Sequence, residues 1–218
     1  MRREYKTIEQ QTESEWNLLV SLPLTKDILD DSGNGKHATL TSGSVSYVTF
    51  NGETYCNAQN GVIRLQSPQQ GDYINNFKIE LDFVWLADNP RYFCLIDGND
   101  DGSKYKGIMV GSSYGNLFAF GIRYANSSSN DGVYGYTPSK STIKFNKKYH
   151  LEMVNYNNTC SVKLTDEDGN VLEGQKATPT YTASQLARTY IQLGTDSRYG
   201  TGRKFNGYFK NFKLYEHY

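Results

Sequence analysis

Net charge is what this chain most plainly lacks: 23 lysines and arginines stand against 23 aspartates and glutamates. A molecule with no field of one sign has nothing to draw in nucleic acid or an anionic membrane, so neither partner is expected. Cysteine is scarce too. Cys56, Cys94 and Cys160 are odd in number, far apart and without a CxxC pair, which excludes a disulfide framework and offers no zinc spacing. Each is expected to fill a strand position as a small hydrophobe. No stretch approaches 18 apolar residues, so no membrane insertion by a helix is expected. Met1-Arg2-Arg3-Glu4-Tyr5-Lys6 lacks the apolar run of a signal peptide; export would need another route or a leader already removed. No glycine-rich phosphate loop opens a helix after a strand, and His37, His150 and His217 stand far apart with no nucleophile motif beside them. Nucleotide binding and triad hydrolysis are therefore not expected.

What is present is a palette of short strands and tight turns: 18 tyrosines and 20 glycines with many Asn, Ser and Thr, against three methionines. The clearest strand is Phe77-Lys78-Ile79-Glu80-Leu81-Asp82-Phe83-Val84-Trp85, in which every odd position is a large hydrophobe, so one face is buried. The same period of two recurs at Phe118, Phe120 and Ile122, at Cys160, Val162 and Leu164, and less cleanly from Phe205 to Tyr215. Between these runs lie turn formers: Asp31-Ser32-Gly33-Asn34-Gly35, Asn51-Gly52, Asn60-Gly61, Gly98-Asn99-Asp100-Asp101-Gly102, Asp131-Gly132 and Asp168-Gly169-Asn170. Turn signals this dense favour antiparallel hairpins over βαβ units. Only Thr182 to Arg188 reads as a helical turn, and Asn126 to Asn130 reads as a loop. Residues 1–16 alternate in charge sign with few hydrophobes and read as an arm or tether; residues 17–218 read as one domain.

Read in order, several segments resemble the laminin-G-like branch of the concanavalin A-like lectin and glucanase superfamily. Leu22-Pro23-Leu24 followed by Asp30-Asp31-Ser32-Gly33-Asn34-Gly35 is similar to the opening strand and turn of that family, and Val48-Thr49-Phe50-Asn51-Gly52 to its next strand and turn. Phe77 to Phe83 resembles the long central strand, and Lys148-Tyr149-His150-Leu151-Glu152 through Leu164 the hairpin after it. Ile191-Gln192-Leu193-Gly194 and Phe205-Asn206-Gly207-Tyr208-Phe209 to Leu214-Tyr215 resemble the last two strands. The resemblance spans roughly residues 18 to 216 and implies an all-β, antiparallel β-sandwich of the concanavalin A-like jelly-roll type. One departure is Lys210, where the family often has an acid; a calcium site built on that acid loses a ligand here.

Three constellations could carry chemistry. Glu80-Leu81-Asp82-Phe83-Val84-Trp85 is close to the Glu-x-Asp-x-x-Glu strand of the superfamily's laminarinase-like glucanases, whose retaining chemistry needs two carboxyls about 5 to 5.5 Å apart. Here the last acid is Trp85, which belongs with Leu81 and Phe83 on the buried face, so the pair is incomplete and Glu80 and Asp82 read as a polar sheet face. Asp97, Asn99 and Asp101, with Gly102 at the sharp bend, match the first half of a calcium loop, but Ile108 stands where the bidentate glutamate belongs. Ca2+ is the ion such a loop would take; the other reading is an acidic turn. Tyr114, Tyr124, Tyr134 and Tyr136 cluster near glycine- and serine-rich segments, with Tyr92 a weaker companion. Exposed tyrosine rings stack on the apolar faces of sugars, although tyrosine is also common on half-buried strands.

The expectation is a non-catalytic recognition module for a carbohydrate or cell-surface glycan. Contacts are expected near residues 97–105, 112–116 and 124–136. The alternatives are a virion or adhesin assembly subunit joined through the N-terminal arm, and a glycoside hydrolase. Either of the first two implies an extracellular or virion-associated place.

Overall fold

The computed structural model describes residues 16–59, 61–66, 76–86, 93–97, 107–112, 118–123, 132–136, 144–157, 159–177, 190–194 and 204–217. Fifteen strands run through them: β1 Trp16–Leu22, β2 Thr39–Gly43, β3 Ser46–Phe50, β4 Glu53–Asn57, β5 Gly61–Gln66, β6 Phe77–Trp85, β7 Phe93–Asp97, β8 Gly107–Ser112, β9 Phe118–Arg123, β10 Gly132–Tyr136, β11 Lys148–Tyr156, β12 Thr159–Asp166, β13 Val171–Ala177, β14 Tyr190–Leu193 and β15 Gly207–His217. The segment expected to form a helical turn, 182–188, lies outside the described residues.

All pairings are antiparallel, and the strands form two sheets of a sandwich, as expected from the turn density. The eight-stranded sheet has the order β13-β12-β11-β6-β15-β4-β3, with β1 beside β4 along the free flank of β15; the seven-stranded sheet has the order β10-β9-β8-β7-β14-β5-β2. Trp16, assigned by sequence to the arm, opens β1 and pairs with His217.

Period-two patterning decides which face of each strand is buried. On β6 all five odd residues from Phe77 to Trp85 are buried. β11 alternates the same way, with Tyr149, Leu151, Met153 and Asn155 inward. Opposite them, Ile63 and Leu65 of β5 and Ile191 and Leu193 of β14 bring the second sheet to the same core. Aromatic rings thicken one end of this layer: Phe83 stacks on Tyr149 at 5.6 Å and meets Phe205 edge-on at 6.0 Å. Cys56 is fully buried among them and burial pushes its thiol up to about 12, so it serves as a small hydrophobe.

The less regular closing segment has a structural cause. A bulge between Lys210 and Lys213 shifts the β15 register, with Asn211 at φ +53°, so that Phe209 and Phe212, three residues apart, both enter the core. Asn211 donates its backbone N–H to the Pro23 carbonyl at 3.0 Å, which ties the bulge to the residue before Leu24. Leu24 is buried at φ +58°, a conformation that burial of its side chain holds against local strain.

Asp30 anchors the turn that follows. Its carboxylate accepts from the backbone N–H of Ser21 (2.8 Å), Ser32 (3.1 Å) and Lys36 (2.9 Å) and from the Ser32 hydroxyl (2.9 Å), while its own N–H donates to His37 Nδ1 (2.9 Å). Burial alone would raise this carboxyl, yet the donors outweigh it and hold it below the usual range. Because the folded value is depressed, the stabilisation is present above about pH 4 and is lost as pH falls through the folded value. Asp30→Ala leaves the partly buried N–H groups of Ser21, Ser32 and Lys36 without this acceptor and should cost about 2 kcal/mol in urea unfolding at pH 7. The gap between variant and parent should close toward pH 3; a gap independent of pH would exclude the carboxylate as its source.

Candidate functional site

The outer face of the seven-stranded sheet is set by register. Since Ile63, Ile191 and Leu193 point to the core, alternation sends Arg64 and Gln192 to the other face. Antiparallel partners share a face, so one row crosses the whole sheet: Thr39, Arg64, Gln192, Asp97, Met109, Gly121, Tyr134. A second row holds Cys94, Gly111, Ala119 and Tyr136, reached because β7 is irregular between Cys94 and Ile96. The two tyrosines of edge strand β10 are thus opposed on β9 by a glycine and an alanine.

Polar groups continue the first row. Arg64 donates from Nε to Gln192 Oε1 at 3.0 Å and from a terminal nitrogen to the same oxygen. Gln192 is only 2% exposed, so its amide is fixed by that guanidinium. Asp97 closes β7 directly opposite Gln192. Of the residues singled out in the sequence, the register places Asp97 and Tyr134 in the first row and Tyr136 in the second; Tyr92, Asn99, Asp101, Tyr114 and Tyr124 lie outside the described residues. Among the described residues no group of three or more His, Cys, Asp and Glu converges as a metal site would require. Arg64 and Gln192 were not singled out by sequence, because one polar residue between two hydrophobes on a short strand looks like any outward position. The flanking Ile63, Leu65, Ile191 and Leu193 are the only signal.

The outer face of the eight-stranded sheet carries the second constellation. Glu80 is bound by Lys78 Nζ at 2.9 Å and by the Tyr215 hydroxyl at 2.9 Å. Asp82 takes His150 Nδ1 at 2.7 Å and the Asn211 amide at 2.8 Å. Burial would raise both carboxyls, but these partners hold each below its ordinary value. Both carboxyls are held by partners, and Trp85, in the position of a third acid, faces the core at 3% exposure. Lys210, at the place where the family resemblance expects an acid, pairs instead with Glu53 at 3.1 Å and sits 4.8 Å over the Tyr55 ring. The Tyr55 hydroxyl (2.8 Å), Lys148 (3.0 Å) and Lys210 lower Glu53 to about 2. His150 gained its partner only through pairing of β11 with β6, which sequence separation concealed.

No family model matches the chain, and no curated protein sequence matches it. Solved structures do. Domain 4 of AbnA, a GH43 extracellular arabinanase from Geobacillus stearothermophilus solved in complex with arabinotriose, aligns over 94% of this chain and 94% of its own length, with TM-score 0.65 and 17% identity. The receptor-binding domain of botulinum neurotoxin type G aligns over 91% of this chain at TM-score 0.61 and 17% identity. The binding domain of botulinum neurotoxin DC, in complex with SialylT, aligns over 92% at TM-score 0.63 and 14% identity. This chain spans about half the length of the toxin domains, 47% and 48%. At these identities the likeness establishes the β-sandwich fold.

Hydrogen bonding by Asp82 raises His150 above its usual value, while Asp82 is lowered. The histidine contribution is full below about pH 6.5 and disappears as pH rises through its folded value; that of the aspartate is full above about pH 4 and disappears on acidification. Thermal stability relative to His150→Gln should therefore be greatest near pH 5 to 6 and shrink by pH 8.5. An imidazole NMR titration with a midpoint at or below that of a free histidine would contradict the pair.

Proposed function

We propose that this chain is a non-catalytic glycan-recognition module whose binding surface is the outer face of the seven-stranded sheet and the segments bordering it at residues 97–105, 112–116 and 124–136. The observation that carries the reading is the register that sets Tyr134 and Tyr136 beside Gly121 and Ala119, in line with Asp97, Gln192 and Arg64. Sugar rings present an apolar C–H face and a rim of hydroxyls. A tyrosine ring accepts the first by stacking, and a carboxylate and a guanidinium bind the second with directed hydrogen bonds, while the buried Gln192 holds Arg64 in place. An Arg64–Gln192 pair already locked in place lowers the entropy lost on binding.

The arabinanase domain solved with arabinotriose and the toxin binding domain solved with SialylT support a sugar as the ligand class. The non-catalytic reading is supported by the paired, ionised state of Glu80 and Asp82. We place the chain in the laminin-G-like branch on the order of its segments, and an extracellular or virion-associated location accords with that role.

A glycan array spanning arabinan oligosaccharides and sialylated glycans, run in calcium and again in chelator, tests the reading. Binding should appear on the array, and Tyr134→Ala and Tyr136→Ala should each weaken it by about tenfold, the loss of one stacking contact. Glu80→Gln should leave it unchanged. Silence under both conditions, or affinity indifferent to both tyrosines, would refute the site; a dependence on calcium would implicate Asp97 with Asn99 and Asp101. Release of reducing sugar that Glu80→Gln abolishes would instead establish a hydrolase.

A further inference from the structure

β1 pairs with β15 on one flank, and among the described residues no strand pairs with the other. Its seven residues, Trp16-Asn17-Leu18-Leu19-Val20-Ser21-Leu22, include no charge and no proline, and Leu18 is 36% exposed. Charges, prolines, bulges and covering loops are the devices that keep a free strand edge from accepting another chain. β1 has an irregularity between Leu18 and Val20 but neither of the first two. A run of this composition is the kind that stacks into intermolecular β-structure when its edge is open.

The free flank is filled by the turn that follows. Ser21 directs both of its backbone groups there: its N–H donates to Asp30 Oδ1 at 2.8 Å, and its carbonyl accepts from the Asp31 N–H at 2.9 Å. A neighbouring strand would offer Ser21 one carbonyl and one N–H, so the Asp30 carboxylate stands where that carbonyl would be. Farther along, the Asn34 side-chain amide donates to the Leu18 carbonyl at 2.9 Å and to the Leu19 carbonyl at 3.1 Å. The Ser32 hydroxyl lies 3.3 Å from the same Leu19 carbonyl. The segment is fastened to itself as well, the Asn34 N–H donating to Ser32 Oγ at 3.2 Å and the Ala38 N–H to the Ile28 carbonyl at 3.1 Å.

We propose that Asp30 to Asn34 is an intramolecular guard that occupies the open edge of β1 as a strand would and so blocks strand addition by another chain. Four backbone groups of β1, the Ser21 N–H and the Leu18, Leu19 and Ser21 carbonyls, find their partners in it. Asp30, Ser32 and Asn34 recur at every second position, and their sequence reads only as a turn. Their side chains have a second role, because short polar groups that favour turns also satisfy nearby backbone groups. The guard supplies the covering loop that a strand without charge or proline requires.

The experiment uses the full chain. The double variant Ser32→Ala, Asn34→Ala removes the side-chain contacts to Leu18 and Leu19 and keeps the Asp30 carboxylate. In sedimentation velocity its weight-average mass should rise to at least about twice that of the parent chain at the same concentration. Adding Leu18→Lys places a charge on the exposed edge strand and should return the mass to the parent value without recovering the melting temperature. Hydrogen exchange in Asp30→Ala decides the matter if the double variant misfolds. There the Ser21 amide should accelerate at least about tenfold more than that of Val20, which pairs with Leu214 of β15. A folded double variant with the mass of the parent overturns the proposal. So does association that Leu18→Lys leaves unchanged, which would come from unfolded chain, and so does equal acceleration at Ser21 and Val20. β1 belongs to the eight-stranded sheet, so none of these results bears on glycan binding by the other.

Discussion

The fold depends on β6 holding its alternation over nine residues between two long neighbours. Its odd side chains reach the core and Lys78, Glu80 and Asp82 meet partners on the other face, so the strand is anchored on both faces at once. A slip of one residue would drive Lys78, Glu80 and Asp82 into an apolar layer and expose five large hydrophobes, a change no local rearrangement could offset. The pairs on the outer face reinforce this register: Glu80 is met by Tyr215 of β15, and Asp82 by His150 of β11 and Asn211 of β15. Exposed ion pairs add little stability, but here they are partly buried and join three adjacent strands, which makes them markers of one alignment.

Departures from regularity do the rest of the shaping. The β15 bulge lets a single strand serve β6 on one flank and both β4 and β1 on the other, because it resets which residues face inward at its midpoint. Asn211 stands at that point, bound through its backbone to Pro23 and through its side chain to Asp82. Asp30 plays a comparable part by gathering donors from β1 and from the turn after it. Each is a short polar side chain satisfying backbone groups that sheet ladders leave over.

A shared sandwich does not carry a shared ligand, since function resides in the surface a fold presents. The likeness to sugar-complexed and receptor-binding domains therefore matters less than what lies on each sheet. The eight-stranded sheet presents charges already paired with one another. On the seven-stranded sheet, register sets Tyr134 opposite Gly121 and Tyr136 opposite Ala119, and Arg64 is bound to Gln192.

Period two is a local property, so the strand from Phe77 to Trp85, the Asn51-Gly52 and Asp168-Gly169 turns and the antiparallel sandwich were legible in the residues themselves. So was the inward fate of Trp85, which follows from parity alone. Which strands lie side by side is not local. The meeting of His150 with Asp82, of Arg64 with Gln192, and of Asp97 with Tyr134 in one row depends on pairings between segments far apart in the chain. Hydrophobic alternation specifies a face but not a neighbour, and only closure of both sheets over a common core selects the neighbours.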